Sequence, residues 1–168
     1  MILFYIHAVF VIKNSLVFIF LHPIMLVQLQ GEWQRTVGSQ GDQPGQFNNP
    51  RGLALTPDDA FLLVVDWGSR RVAVLRATDG NWVRQLTGPP DTLLNPWDVA
   101  VVPSTGEVFV SDWNSDQVVR FRSIDDDTVV GVLGTGGGSG PTQFNVPSGL
   151  AVLDGSHCTL VCFFYIFL

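Results

Sequence analysis

From Glu32 to Leu133 apolar residues come in short stretches cut by polar turns rich in Gly, Pro and Asp, a pattern of short strands rather than helices. Glu32 to Val37 alternates apolar and polar positions and then meets Gly38, as a strand ending at a loop does. Beyond it the spacing predicts strands at Leu53 to Leu55, Phe61 to Val65, Arg71 to Arg76 and Trp82 to Leu86. A second set follows at Val99 to Val101, Glu107 to Ser111, Val118 to Arg122 and Thr128 to Leu133. Thr56-Pro57-Asp58-Asp59 suits a type I turn with Pro at its second position, and Asp79-Gly80 suits another turn. The unbroken apolar run Phe61 to Val65 predicts a strand covered on both faces.

The two sets are copies. Aligned on Pro50, Pro96 and Pro147, three segments share a large apolar residue three places earlier (Phe47, Leu93, Phe144) and an apolar-Ala-apolar triplet afterwards. Pro50 to Asp66 and Pro96 to Asp112 both span 16 residues, and the period from Pro50 to Pro96 is 46 residues. Four strands per repeat at that period predict the four-stranded antiparallel blades of a β-propeller. Ala54, Ala100 and Ala151 suit the innermost strand, where neighbouring blades crowd. The prolines mark a sharp start to that strand and should push the preceding residue into extended geometry. Gly52 and Gly149 allow a tight backbone there, and Asp98 stands at the same position in the second copy. Asp66 and Asp112 close the second strands, where a short acceptor can bond N–H groups of the following turn, so their expected role is structural.

Both ends differ from this middle. Residues 1–30 form an apolar leader broken by Lys13-Asn14-Ser15, read either as a membrane anchor or uncleaved signal that crosses as one helix, or as a non-native leader. Residues 31–155 form the repeat segment. Residues 156–168 are an apolar tail, read either as an improvised second strand for the third blade or as unrelated sequence. The third copy fails after Asp154-Gly155, since the place of its Asp is taken by Phe163. Cys158 and Cys162 are too far apart along an extended strand for a disulfide and read as small hydrophobes.

The copies resemble NHL repeats. The residues that carry the resemblance are Phe47, Asn49, Pro50, Gly52, Leu53, Ala54, Asp66, Arg71 and Val72; then Asn95, Pro96, Val99, Ala100, Asp112 and Val118; then Phe144, Pro147, Gly149, Leu150 and Ala151. The family's turn after the Asp tends to read Asn-x-Arg-Val; here Ser69 and Ser115 hold the Asn position and Gln117 replaces the Arg in the second copy. The resemblance implies an all-β propeller, usually of about six blades, that is incomplete here: about two full blades plus fragments. Other blades or chains are then needed to close the ring, and open ends invite association. The family includes RNA binders, protein-interaction modules and extracellular enzymes.

Charge narrows these classes. Eight Arg face fifteen Asp and Glu between Gly31 and Gly155, an acidic balance that disfavours RNA as a partner. The three His (His7, His22, His157) lie outside the repeats, so no hydrolase triad or His-based metal site can be built in the blades; no catalytic residue, metal or cofactor is expected. A calcium site of the lactonase kind would want acidic ligands near the axis, and there Asp98 stands alone. Gly134 to Gly140 lacks the spacing of a phosphate loop and reads as a loop between blades.

With strands running alternately up and down, the turn between strands two and three emerges beside the loop that links blades. That face gathers the candidate ligand residues Trp67, Arg70, Arg71, Trp113, Asn114 and Asp116, near the loops Ser39 to Asn49 and Gly134 to Asn145. The bland alternative has both Trp packed on the adjacent blade and Arg71 paired with an Asp. The leading expectation is a non-enzymatic module that binds a protein or peptide. The alternatives are a single-stranded RNA binder and a fragment of an extracellular propeller enzyme, lactonase-like or amidating-lyase-like. A membrane is a partner through residues 1–29 if they are an anchor, with a membrane or secretory location following; otherwise a cytoplasmic one does.

Overall fold

The computed structural model describes residues 6–12, 15–20, 24–28, 33–138, 140–153 and 159–164, with side chains described for 36–138 and 140–152. Three four-stranded antiparallel sheets and one two-stranded sheet follow one another along the chain. The first comprises β1 (Ile6–Ile12), β2 (Ser15–Phe20), β3 (Ile24–Gln28) and β4 (Trp33–Val37). A short parallel pair, β5 (Ser39–Gln40) and β6 (Gln46–Phe47), lies in the loop that leads to the second sheet. That sheet is β7 (Pro50–Leu55), β8 (Phe61–Asp66), β9 (Arg71–Arg76) and β10 (Trp82–Leu86), with a 3-10 turn at Trp67–Ser69. The third is β11 (Pro96–Val101), β12 (Val108–Asp112), β13 (Gln117–Ser123) and β14 (Asp126–Leu133); the last is β15 (Pro147–Leu153) with β16 (Thr159–Phe164).

Each sheet runs in chain order from an inner to an outer strand, and β1, β7, β11 and β15 lie beside one another in turn. This is a β-propeller segment, incomplete as expected.

The apolar run of β8 explains how neighbouring sheets hold together. Leu62 and Val64 pack to one side with Val37, Phe47, Leu53, Ala73 and Leu75. Leu63 and Val65 pack to the other with Val72, Val74, Val99, Val108, Val110 and Phe121. A third cluster joins Val102, Phe109 and Val118 to Phe144, Leu150 and Val152. Each seam therefore has its own core, and a fully buried aliphatic side chain contributes about 1.5–3 kcal/mol.

The repeat register holds at the strand ends: Pro50 pairs with Asp66 and Pro96 with Asp112. In the last sheet Pro147 pairs with Phe164, one residue beyond the expected Phe163. The tail thus runs as a second strand, the first of its two readings.

Three expectations change. The described parts of residues 6–28 run as the strands β1, β2 and β3, with β3 paired to β4, rather than as one helix, so the chain carries three four-stranded sheets instead of about two. Ser15, part of the expected break, pairs with Ile12 where β1 meets β2. No helix among the described residues is long and apolar enough to cross a membrane. Finally, the residue before proline is left-handed in two copies, Asn49 at φ 63° and Val146 at φ 57°. Hydrogen bonds hold both there: the Asn49 carbonyl accepts from Trp67 N–H, and Val146 N–H donates to Asp116. The cysteine reading and His22 and His157 lie outside what is described.

Candidate ligand face

The second-to-third-strand turns and the loops between sheets meet at one end of the molecule, as the up-and-down order requires. Gly68 N–H donates to the Asn48 carbonyl at 2.7 Å and Trp113 N–H to the Asn95 carbonyl at 2.9 Å. The two aspartates fasten this junction. Asp66, fully buried, accepts from Asn48 N–H at 2.7 Å. Asp112, also fully buried, accepts from Leu94 N–H at 2.6 Å, from Asn95 N–H, and from the Ser115 hydroxyl at 2.9 Å. Their reach is thus both to the following turn and back across to the segment preceding the inner strand. Burial raises the Asp66 carboxyl above its ordinary range, against the opposing pull of Asn48 N–H and Arg71.

Arg71 leaves the ligand face. It is buried and pairs with Asp66 at 3.0 Å, while its guanidinium donates to the carbonyls of Asp42 and Gln46 at 2.8 Å each and lies over the Trp82 ring at 4.9 Å. This side chain ties down the loop between the first and second sheets; Gln117, its counterpart, has no such reach. Asp116 is also engaged, accepting from Val146 N–H at 2.7 Å. Asn114 is exposed.

Trp67 and Trp113 belong to a ladder that sequence reading found only in part. The Arg51 guanidinium stands 4.5 Å from the Trp97 ring centroid and 5.7 Å from that of Trp67. Trp97 stacks on Trp113 with centroids 5.5 Å apart, and Trp67 Nε1–H donates to Asn95 Oδ1 at 3.0 Å. Arg51 and Trp97 were missed because each simply follows its repeat proline. That shared position, at the start of the inner strands, was the available signal. All four side chains are half-buried, so the ladder is partly packed between sheets and partly open. The packed reading of the tryptophans holds in part, since each ring stacks or bonds within the ladder while keeping some exposed surface.

Arg70 is exposed and left-handed at φ 52°. It borders a pocket of about 300 Å³ whose other walls are Thr87, Gly88, Pro89, Pro90, Asp91, Thr92 and Leu93. Within the inner strand β11, Asp98 donates its N–H to Ser111 Oγ at 3.0 Å, and its carboxylate accepts from Leu150 N–H at 2.8 Å and Val99 N–H at 2.9 Å. Burial pushes its carboxyl up to about 6, against those two N–H bonds. Among the described residues no group of three or more His, Cys, Asp or Glu is arranged to hold a metal ion.

Comparison with known proteins agrees with this architecture. Residues 93–121 match the NHL repeat family. A stretch of 55 residues is 34% identical to peptidyl-glycine alpha-amidating monooxygenase A of Xenopus laevis, covering 33% of this chain and 6% of that protein. The nidogen/laminin complex superposes with a TM-score of 0.58 at 17% identity, over 71% of this chain and 43% of the other. The RRP9 WD40 repeats give 0.63 at 14% identity over 77% and 38%, and Kuenenia stuttgartiensis hydrazine synthase 0.63 at 15% over 89% and 42%. The chain thus spans a small part of the first relative and under half of each structure, and the structural likenesses concern the fold alone.

Proposed function

We propose that this chain, a segment of an NHL-repeat β-propeller, serves as a non-enzymatic module that binds a protein or peptide across the face of the tryptophan ladder. The observation that carries this reading is the half-open row Trp67, Arg51, Trp97 and Trp113 at the start of the inner strands. Trp and Arg with part of their surface already desolvated are the usual anchors of interfaces, because their large rigid area is covered at little entropic cost. Peptides selected by display against the full chain would be measured on Trp97→Ala and Trp113→Ala, with Val83→Ala on an outer strand as control. The expected result is a loss of about tenfold or more in both Trp variants and none in the control. Unchanged affinity in both Trp variants removes the face from consideration.

A second reading, a fragment of a propeller enzyme, draws on the similarity to the amidating monooxygenase. Stoichiometric zinc or calcium in the purified chain would favour it over the first.

A further inference from the structure

Arg70 and Asp116 occupy the same place in successive repeats, the fourth residue after the strand-closing Asp, and share a left-handed backbone at φ 52° and 50°. In the third sheet Asp116 uses that geometry to clasp the next loop through Val146 N–H at 2.7 Å. Arginine has no acceptor and cannot clasp an N–H. The corresponding loop, 87–93, is instead held from another side, with Asp127 taking Thr87 N–H at 2.7 Å and Gly88 N–H at 2.9 Å. Between Arg70 and this loop lies the pocket of about 300 Å³.

The side-chain bookkeeping points the same way. Arg71, Arg76, Arg120 and Arg122 hold ion pairs, Arg84 donates to the Asp125 carbonyl, and Arg51 lies between Trp rings. Among the arginines whose side chains are described, Arg70 is the one with no such partner. Within the pocket, Pro89 and Pro90 have no N–H to offer, and the N–H groups of Thr87, Gly88 and Thr92 are already engaged. The guanidinium of Arg70 is therefore the free cationic donor of a proline-walled cleft.

We infer that this cleft is a subsite for a carboxylate of a bound peptide, held by Arg70 in a two-bond fork. A carboxylate fits better than a phosphate. Asp91 lines the same cleft, and the chain's net charge of −6 repels a dianion more than a monoanion. The inference rests on the peptide-binding reading above and names what one end of that face recognises.

The test uses the full chain with ¹⁵N-labelled arginine and three acetylated pentapeptides. One is Gly-Ala-Glu-Ala-Gly amide, one is its Gln analogue with a free C-terminus, and one is its phosphoserine analogue as the amide. The Arg70 Nε–H resonance is followed by NMR. The Glu peptide is expected to move it saturably, about two- to fivefold more tightly than the phosphoserine peptide. Arg70→Gln should abolish the preference for Glu, and Asp91→Asn should tighten the Glu peptide. Comparable binding of the Gln peptide means that a terminal carboxylate serves as well as a side chain, which still supports the site; its amide form must then fail to bind. Equal binding of the Glu peptide and the amidated Gln peptide overturns the inference, as does tighter binding of the phosphoserine peptide. Loss of selected-peptide binding in Trp97→Ala without any effect of Arg70→Gln would sink this subsite while leaving the face intact.

Discussion

Asp98 is the residue whose chemistry departs furthest from its neighbours in the repeat, because glycine stands at its position in the other two copies. Its carboxyl is pushed up to about 6 from an ordinary 3.8, mainly by burial. The folded state therefore binds a proton more tightly than the unfolded chain does. That contribution to stability is fully present below the unfolded value and is lost as pH rises through about 6. Across the window the change is on the order of 3 kcal/mol at most. Urea unfolding between pH 3.5 and 7 should show this decline, and Asp98→Asn should flatten it. An unchanged slope in the variant would mean that another group titrates. The carboxyl's position near an inner strand was legible in the sequence, since it replaces a repeat glycine; its protonation was not, because burial comes from sheets that only the fold brings together.

At the scale of strands, Gly52 and Asp98 are complementary across the seam between β7 and β11. A Cβ at Gly52 would stand 2.6 Å from the Asp98 Cα and would also meet its carboxylate. Gly52→Ala should therefore destabilise the chain by about 1–3 kcal/mol, read as a lower urea midpoint. Asp98→Gly in the same chain should restore part of the loss by removing the carboxylate but not the backbone contact. No recovery would place the strain elsewhere. Strand positions of the second and third sheets could be read from alternation and turns, because each apolar stretch obeys its local period. Of the first sheet only β4 could: residues 6–28 are apolar at nearly every position, and length alone suggested a membrane-spanning helix. For Arg71 the pairing with an Asp was legible, and the loop contacts were not. Arg71 opens a predicted strand, and nothing local in the sequence shows that the loop Ser39 to Gln46 folds over it and supplies carbonyls to its guanidinium.

For the molecule as a whole, the described strands of the fourth sheet cover the inner part of the third and leave β14 exposed. Val118 lies fully buried beneath Phe144, Leu150 and Val152, while Leu133, its partner one strand farther out, is 40% exposed. β16 pairs only with β15 among the described residues, and Val130, Val132 and Leu133 stand exposed on β14. Concentration-dependent association is expected by light scattering, and Leu133→Lys should lower it with little change in the unfolding midpoint. Monomeric behaviour of the unaltered chain at high concentration would count against this.

The shared left-handed corner at Arg70 and Asp116 has a consequence for how such modules diversify. The corner has the same left-handed backbone in both sheets, whichever side chain it carries. An acidic residue there clips a loop shut, and a basic one leaves a docking slot. One corner position thus gives two successive sheets of this chain different faces toward the loop that follows.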